Sequence, residues 1–284
     1  MPAGALLTRA SAAWTLGADG RLASVPMDAA RFDHQPGGSL RGLMVEAAAT
    51  NRLLQSQALG TAPWTSSQAA VAAGSGTGPH GSACDLVVEL SGAGPHGVLQ
   101  TVAVSSGQTV TLSAFSRASG RSRGVLRLRS AGTVAHAAFD LAAGTVTGLG
   151  GRASIAPLPG GWFRISAWGV ADAASLEAGL LISDASGSES YPATGAGGIF
   201  LWGAMVETGA GATSYVASGT AQGARAADRL ELDWGGQGTA DGAATVRHRF
   251  DDGSTQDVGV VVSGGRAVVP MPLDRAWLRR TEMV

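Results

Sequence analysis

A chain of 284 residues, 45% of them apolar, is long enough to bury one large core or a medium core with small appendages, and its 43 glycines point to many turns. The formal charge is −1, and the 20 basic residues are all arginine and scattered, so no cationic stripe exists to track a phosphate backbone. The single cysteine, Cys84, excludes an internal disulfide, no apolar run reaches the length of a membrane span, and Met1-Pro2-Ala3-Gly4-Ala5-Leu6-Leu7 does not read as a secretory leader.

Along the chain, the first forty residues carry Pro36-Gly37-Gly38 and little periodic pattern, which predicts an extended arm over residues 1–50. Weak helical patterns fall only at 42–51 and 56–59. Alternation of apolar and polar residues between Gly, Ser and Pro then predicts strands at 85–90, 108–115, 125–129, 133–139, 162–168, 178–183 and 199–207. In the last of these, strict alternation puts Ile199, Leu201, Gly203 and Met205 on one side and Phe200, Trp202 and Ala204 on the other. An apolar set on both sides predicts a central strand covered on both faces, with Trp202 in the core. After Arg225-Ala226-Ala227-Asp228 a new set follows at 229–234, 244–250, 257–262 and 267–269, joined in part by the turns Asp251-Asp252-Gly253-Ser254 and Ser263-Gly264-Gly265. The expected fold is all-β: a two-sheet antiparallel jelly-roll sandwich over 51–228, an N-terminal arm over 1–50 and a small C-terminal β domain over 229–284.

Four stretches resemble phage structural proteins in which an N-terminal segment leads into a carbohydrate-binding-module-like jelly roll. They are Leu7-Thr8-Arg9-Ala10-Ser11 with Arg31-Phe32-Asp33-His34; Gly42-Leu43-Met44-Val45-Glu46 with Thr50-Asn51-Arg52-Leu53-Leu54 and Pro63-Trp64-Thr65; Pro159-Gly160-Gly161-Trp162-Phe163-Arg164; and 199–207 running to Ala212-Thr213-Ser214-Tyr215-Val216 and Arg225-Ala226-Ala227-Asp228. The chain departs from the pattern at Ala47-Ala48-Ala49, where an acidic residue and an arginine often stand. The resemblance implies a virion protein of a phage or gene transfer agent, of the tail-fibre or head-spike type, made in the bacterial cytoplasm, released by lysis and displayed on the virion surface. It implies a homo-oligomer, trimer or pentamer, docked on other virion proteins through the arm, and a host cell-surface polysaccharide as partner. It also implies that a structural calcium could take Asp85 as a ligand, with no other cofactor expected.

The residues themselves give little sign of catalysis. Asp184, Glu189, Asp241, Asp251 and Asp252 lie mainly in turns, where solvated carboxylates are expected rather than a hydrolytic pair, and no Gly-x-Ser-x-Gly elbow joins a strand to a helix. A non-enzymatic protein is expected. Pro79-His80-Gly81 and Pro95-His96-Gly97 repeat one turn, an arrangement that would set two imidazoles at one end of the sandwich. Sugar recognition asks for flat aromatic faces and planar polar groups, and Arg suits an acidic glycan because its fork pairs with carboxylates. The candidates are Trp64, Trp168 and Tyr191 with Arg117, Arg121 and Arg123, the arginines lying in a Ser- and Gly-rich stretch that would suit an acidic capsular polysaccharide. Two competing roles make different demands: a structural connector or decoration protein needs no converging cleft, and a glycan depolymerase needs two facing carboxylates.

Overall fold

The computed structural model describes residues 4–284, in which helix is limited to short 3-10 turns and the regular structure is otherwise strand. In chain order the strands are β1 (Leu6–Thr8), β2 (Ala13–Leu16), β3 (Leu22–Val25), β4 (Arg31–His34), β5 (Leu40–Met44), β6 (Ala49–Asn51), β7 (Thr65–Ser67), β8 (Ala69–Thr77), β9 (Ala83–Glu89), β10 (Gly92–Ala103), β11 (Thr109–Ser119), β12 (Arg123–Arg129) and β13 (Thr133–Asp140). They continue with β14 (Thr145–Gly148), β15 (Ala153–Pro157), β16 (Phe163–Val170), β17 (Ser175–Ile182), β18 (Ser190–Ala193), β19 (Gly198–Thr208), β20 (Gly223–Arg225), β21 (Arg229–Asp233), β22 (Gly242–Phe250), β23 (Thr255–Val262), β24 (Arg266–Val268) and β25 (Trp277–Met283). Two compact units result: unit 1 combines the chain up to Ala49 with Arg225–Val284, and unit 2 is Thr50–Ala224. Among the described residues no helix is long and apolar enough to cross a membrane.

Unit 1 corrects the expected arm and the expected separate C-terminal domain, because the two segments fold as one body. β1 pairs antiparallel with β21 in a sheet ordered β1-β21-β24, and β4 and β5 extend the C-terminal strands in a sheet ordered β23-β22-β25-β5-β4. The reason is burial. Leu7 and Val45 from the N-terminal segment share one core with Leu230, Leu232, Val246, Phe250 and Leu278 from the C-terminal one. The weak helical pattern at 42–51 also yields to tertiary packing: Gly42 lies so close to β25 that a Cβ would come 2.7 Å from the Leu278 carbonyl oxygen. Residues 56–59 form turns instead of a helix.

An ion cluster lies inside unit 1, built from residues of the quoted sequence stretches. The Asp228 carboxylate accepts from Arg9 (2.9 Å), Arg31 (2.6 Å) and the Glu46 backbone N–H (2.9 Å). Glu46 accepts from Arg31 at 2.8 Å and lies 3.6 Å from Arg225. The side chains of Arg9, Arg31 and Asp228 are 0% exposed. Low dielectric strengthens such pairs, yet the hydration lost on burial offsets most of the gain.

Unit 2 is a two-sheet antiparallel sandwich. One sheet runs β14-β13-β12-β17-β10-β18 with β7 also on β10, and the other runs β15-β16-β11-β19-β9-β8. Val98, Leu126, Leu128, Leu180 and Ile182 of the first sheet share a single core with Val87, Leu112, Ile165, Ile199 and Leu201 of the second. Full burial of each such side chain contributes about 1.5–3 kcal/mol.

Strict alternation in β19 breaks at Gly203. Its φ of 63° and a register shift opposite, between Ser113 and Phe115, insert a bulge that changes the parity of the strand. Ala204 and Val206 therefore join Ile199 and Leu201 in the core, where the sequence places Ala204 with Phe200 and Trp202. Trp202 is 1% exposed, as expected, but it is buried on the outer face of the sheet, stacked on His80 at 4.4 Å and tilted against Phe115 and Tyr215.

Candidate functional site

The outer face of the second sheet holds the most suggestive group of side chains in unit 2. β11 and β19 set Arg117 opposite Phe200 and Phe115 opposite Trp202, while β16 sets Arg164 beside Phe115 and Trp168 beside Thr111. Around Trp202 this face is closed: Phe115 and Tyr215 are 2% exposed, and the Tyr215 hydroxyl shares a 2.7 Å hydrogen bond with Ser56. Burial pushes the Tyr215 hydroxyl up to about 12. Toward the two sides the face opens, and Phe200, Arg117 and Trp168 are half-buried.

Phe200 packs against Gly76, which leaves room for its ring; a Cβ there would come 2.4 Å from Cε1. The Arg117 guanidinium lies 4.6 Å from the Phe200 ring centroid and 5.2 Å from that of Trp162, whose own ring is 2% exposed. Two adjacent glycines at positive φ, Gly160 (73°) and Gly161 (76°), form the turn that delivers Trp162. Cys84 sits within reach of the Arg117 charge, but burial, its largest influence, pushes the thiol up to about 11, so it is an inert packing group.

The remaining sequence candidates are engaged inside the protein. Trp64 is 7% exposed and its indole N–H donates to the Leu54 and Gln55 carbonyls, both at 3.1 Å. Arg121 donates two hydrogen bonds to Glu89, at 3.1 and 2.7 Å, and the Tyr191 hydroxyl donates to the same carboxylate at 2.6 Å. Burial alone would raise the Glu89 pKa, but the hydrogen bonds from Arg121 and Tyr191 outweigh it and hold the carboxyl below its ordinary value. Arg123 pairs with Asp140 at 2.8 Å and donates to the Ala185 carbonyl. Thus Arg121 and Tyr191 meet through Glu89, whereas Arg123 belongs to the other sheet and Arg117 to the aromatic face.

Asp85 is 5% exposed, and its two oxygens accept from the backbone N–H groups of Leu59 (2.8 Å) and Gly74 (3.1 Å), so it ties the loop at Leu59 to the irregular part of β8. Among the described residues no group of three or more His, Cys, Asp or Glu is placed to hold a metal ion. The two Pro-His-Gly segments diverge, because only the first is a turn and the second lies within β10: His80 stacks on Trp202, and His96 is buried against Tyr191 at 4.6 Å. Among the turn acids, Asp184 and Asp252 cap their own turns and are held below the usual range by Ser186 and Ser254. Glu189 instead pairs with Arg127, and the Asp251 side chain, expected to be solvated, is buried between Arg41 and Arg275. In unit 1 a shallow hollow of about 500 Å³ is lined mainly by Ala243, Val260, Val261, Val268 and Pro270, with Thr245 as its one polar side chain.

Phe200 and Trp162 were not named as ligand contacts from sequence. Phe200 sits in a wholly apolar strand that reads as covered on both faces, and only the pairing of β8, β9 and β19 shows that Gly76 and neighbouring alanines leave it half-open.

No family model matches the chain, and no curated protein does. Among solved structures, the xylanase 10B chain of Clostridium thermocellum, described as CBM22-1–GH10 modules complexed with xylohexaose, is similar at 14% identity. The likeness covers 62% of this chain and 30% of that one, with a TM-score of 0.34, and at that score it carries no argument.

Proposed function

We propose that the chain is a surface protein of a phage or gene-transfer-agent particle, of the fibre or spike kind, which attaches the particle to host cell-surface polysaccharide through unit 2. In this reading the sandwich is a sugar-binding jelly roll without enzymatic activity. Unit 1 takes the docking role expected of the arm, and several copies supply avidity to a weak single site. The observation that carries the reading is the pair of half-buried aromatics, Phe200 and Trp168, on the outer face of one sheet. Flat rings on a β face stack on the C–H surface of a pyranose while water keeps the hydroxyls.

Binding of the purified chain to encapsulated and capsule-free host cells tests this. Capsule-dependent binding that falls at least ~10-fold in a folded Phe200→Ala/Trp168→Ala variant is the expected result, on the scale of one lost stacking contact or more. Equal binding to both cell types would leave the connector reading. One observation favours that second reading: Trp64, Tyr191, Arg121 and Arg123 all have internal partners, so four of the six sugar-contact candidates do structural work.

A further inference from the structure

Arg117 differs from the arginines on either side of it in the same stretch of chain. Arg121 is taken by Glu89 and Arg123 by Asp140, but no carboxylate, carbonyl or hydroxyl oxygen among the described residues accepts from Arg117. Its guanidinium is nevertheless held in place, between Phe200 on β19 and Trp162 at the start of β16. A long, flexible cation that is restrained by two rings and left without an acceptor has lost entropy for no internal hydrogen bond. A guanidinium without an internal acceptor keeps its planar edge, a two-donor fork, available. That edge matches a carboxylate, which accepts two parallel N–H bonds in one plane. A sulfate or phosphate is served best by several cations, and Arg164, on the adjoining strand β16, is turned toward Phe115 (5.3 Å) and Ser113 (3.2 Å).

We infer that Arg117 is the specificity-determining contact for one sugar carboxylate, so that the polysaccharide recognised by unit 2 is built on uronic acids or other carboxylated sugars. The inference rests on the adhesion reading and names its ligand class. Phe200 and Trp168 supply sequence-tolerant stacking, and Arg117 supplies the choice of acid over neutral sugar.

The test measures binding of the full chain to immobilised alginate, hyaluronate and polygalacturonate, to the carboxyl-reduced form of each, and to dextran sulfate. The expected result is binding to at least one uronate polymer that is ~10-fold or more tighter than to its reduced form, the scale of one charge-assisted bidentate pair. Arg117→Ala removes that preference, Arg117→Lys restores only part of it because the charge returns without the fork, and Arg123→Ala leaves it unchanged. A preference that survives Arg117→Ala overturns the inference, as does equal binding to native and reduced polymers, dextran sulfate binding as tight as the best uronate polymer, or binding to none of the three. Capsule-dependent cell binding that is intact in Arg117→Ala but lost in Phe200→Ala/Trp168→Ala sinks the carboxylate inference while the adhesion reading stands. Absence of capsule-dependent binding sinks both.

Discussion

Unit 1 encloses Arg9, Arg31 and Arg225 with Glu46 and Asp228, whereas unit 2 fills most of the space between its sheets with valine, leucine, isoleucine and alanine. Unit 2 holds the buried Glu89 against the half-exposed Arg121, and pairs Arg123 and Arg127 with acids outside that core. The two interiors respond to damage by different physics. A buried ion pair adds little net stability when intact, because its charges have given up water, but losing one partner strands the other in a medium that cannot solvate it. Hydrocarbon packing adds stability in proportion to area and loses it in proportion to the void left behind. Unit 1 is therefore intolerant of single changes at a few positions, and unit 2 is graded over many.

The largest expected effect is at the hub of the ion cluster. Asp228→Ala leaves Arg9 and Arg31 without their shared carboxylate and is expected to cost about 3–5 kcal/mol, read by urea unfolding followed through tryptophan fluorescence. A loss under about 1 kcal/mol would show that water reaches the cluster and would erase the contrast between the units. Next comes Leu112→Ala in unit 2, a 0% exposed core residue, at about 2–5 kcal/mol by the same assay. Smaller again is Gly203→Ala, at about 1–2 kcal/mol for the backbone alone, since φ is 63° and the new methyl would stand 2.9 Å from Phe115. A neutral Gly203→Ala would mean that the β19 bulge relaxes, and the tilted Phe115–Trp202 contact would shift in the near-ultraviolet circular dichroism.

The smallest and most selective probe is pH. His248 of unit 1 is 0% exposed, with Nδ1 2.9 Å from the Thr281 hydroxyl, and burial lowers its pKa below 6.5. The unfolded chain takes up a proton near pH 6.5 while the folded chain resists it, so stability is full above that value and falls as pH drops toward the folded pKa. His248→Gln should flatten this part of the pH–stability curve. Burial lowers His80 and His136 of unit 2 in the same direction, so those two set the slope that remains.

The strands of unit 2 were legible because alternation is a local signal, repeated between turns. What the sequence concealed was partnership. β1 and β5 are short, and their distant partners are β21 and β25, near the other end of the chain, while β4 pairs only with β5, so no window of residues reveals that the arm is part of a larger sheet. Asp85 and Glu89 share the Val87 side of β9 and are 5% and 0% exposed, against the ordinary expectation that acids face water; backbone N–H groups hold one and Arg121 with Tyr191 the other. Among the candidate contacts, Arg117, Arg121 and Arg123 look alike in the sequence. Only the residue across the sheet tells them apart: an acid for two, an aromatic ring for the third.

The division of unit 1 between the two ends of the chain also sets an order of events during synthesis. The ribosome finishes every strand wholly within unit 2 before it reaches Arg225 and Asp228, so the sandwich can close while the chain is still growing. Arg31 can meet Glu46 within the opening segment, but the carboxylate that Arg9 and Arg31 share arrives only with Asp228. A polypeptide truncated before Asp228 can therefore carry a finished unit 2 but lacks the carboxylate that Arg9 and Arg31 share in unit 1.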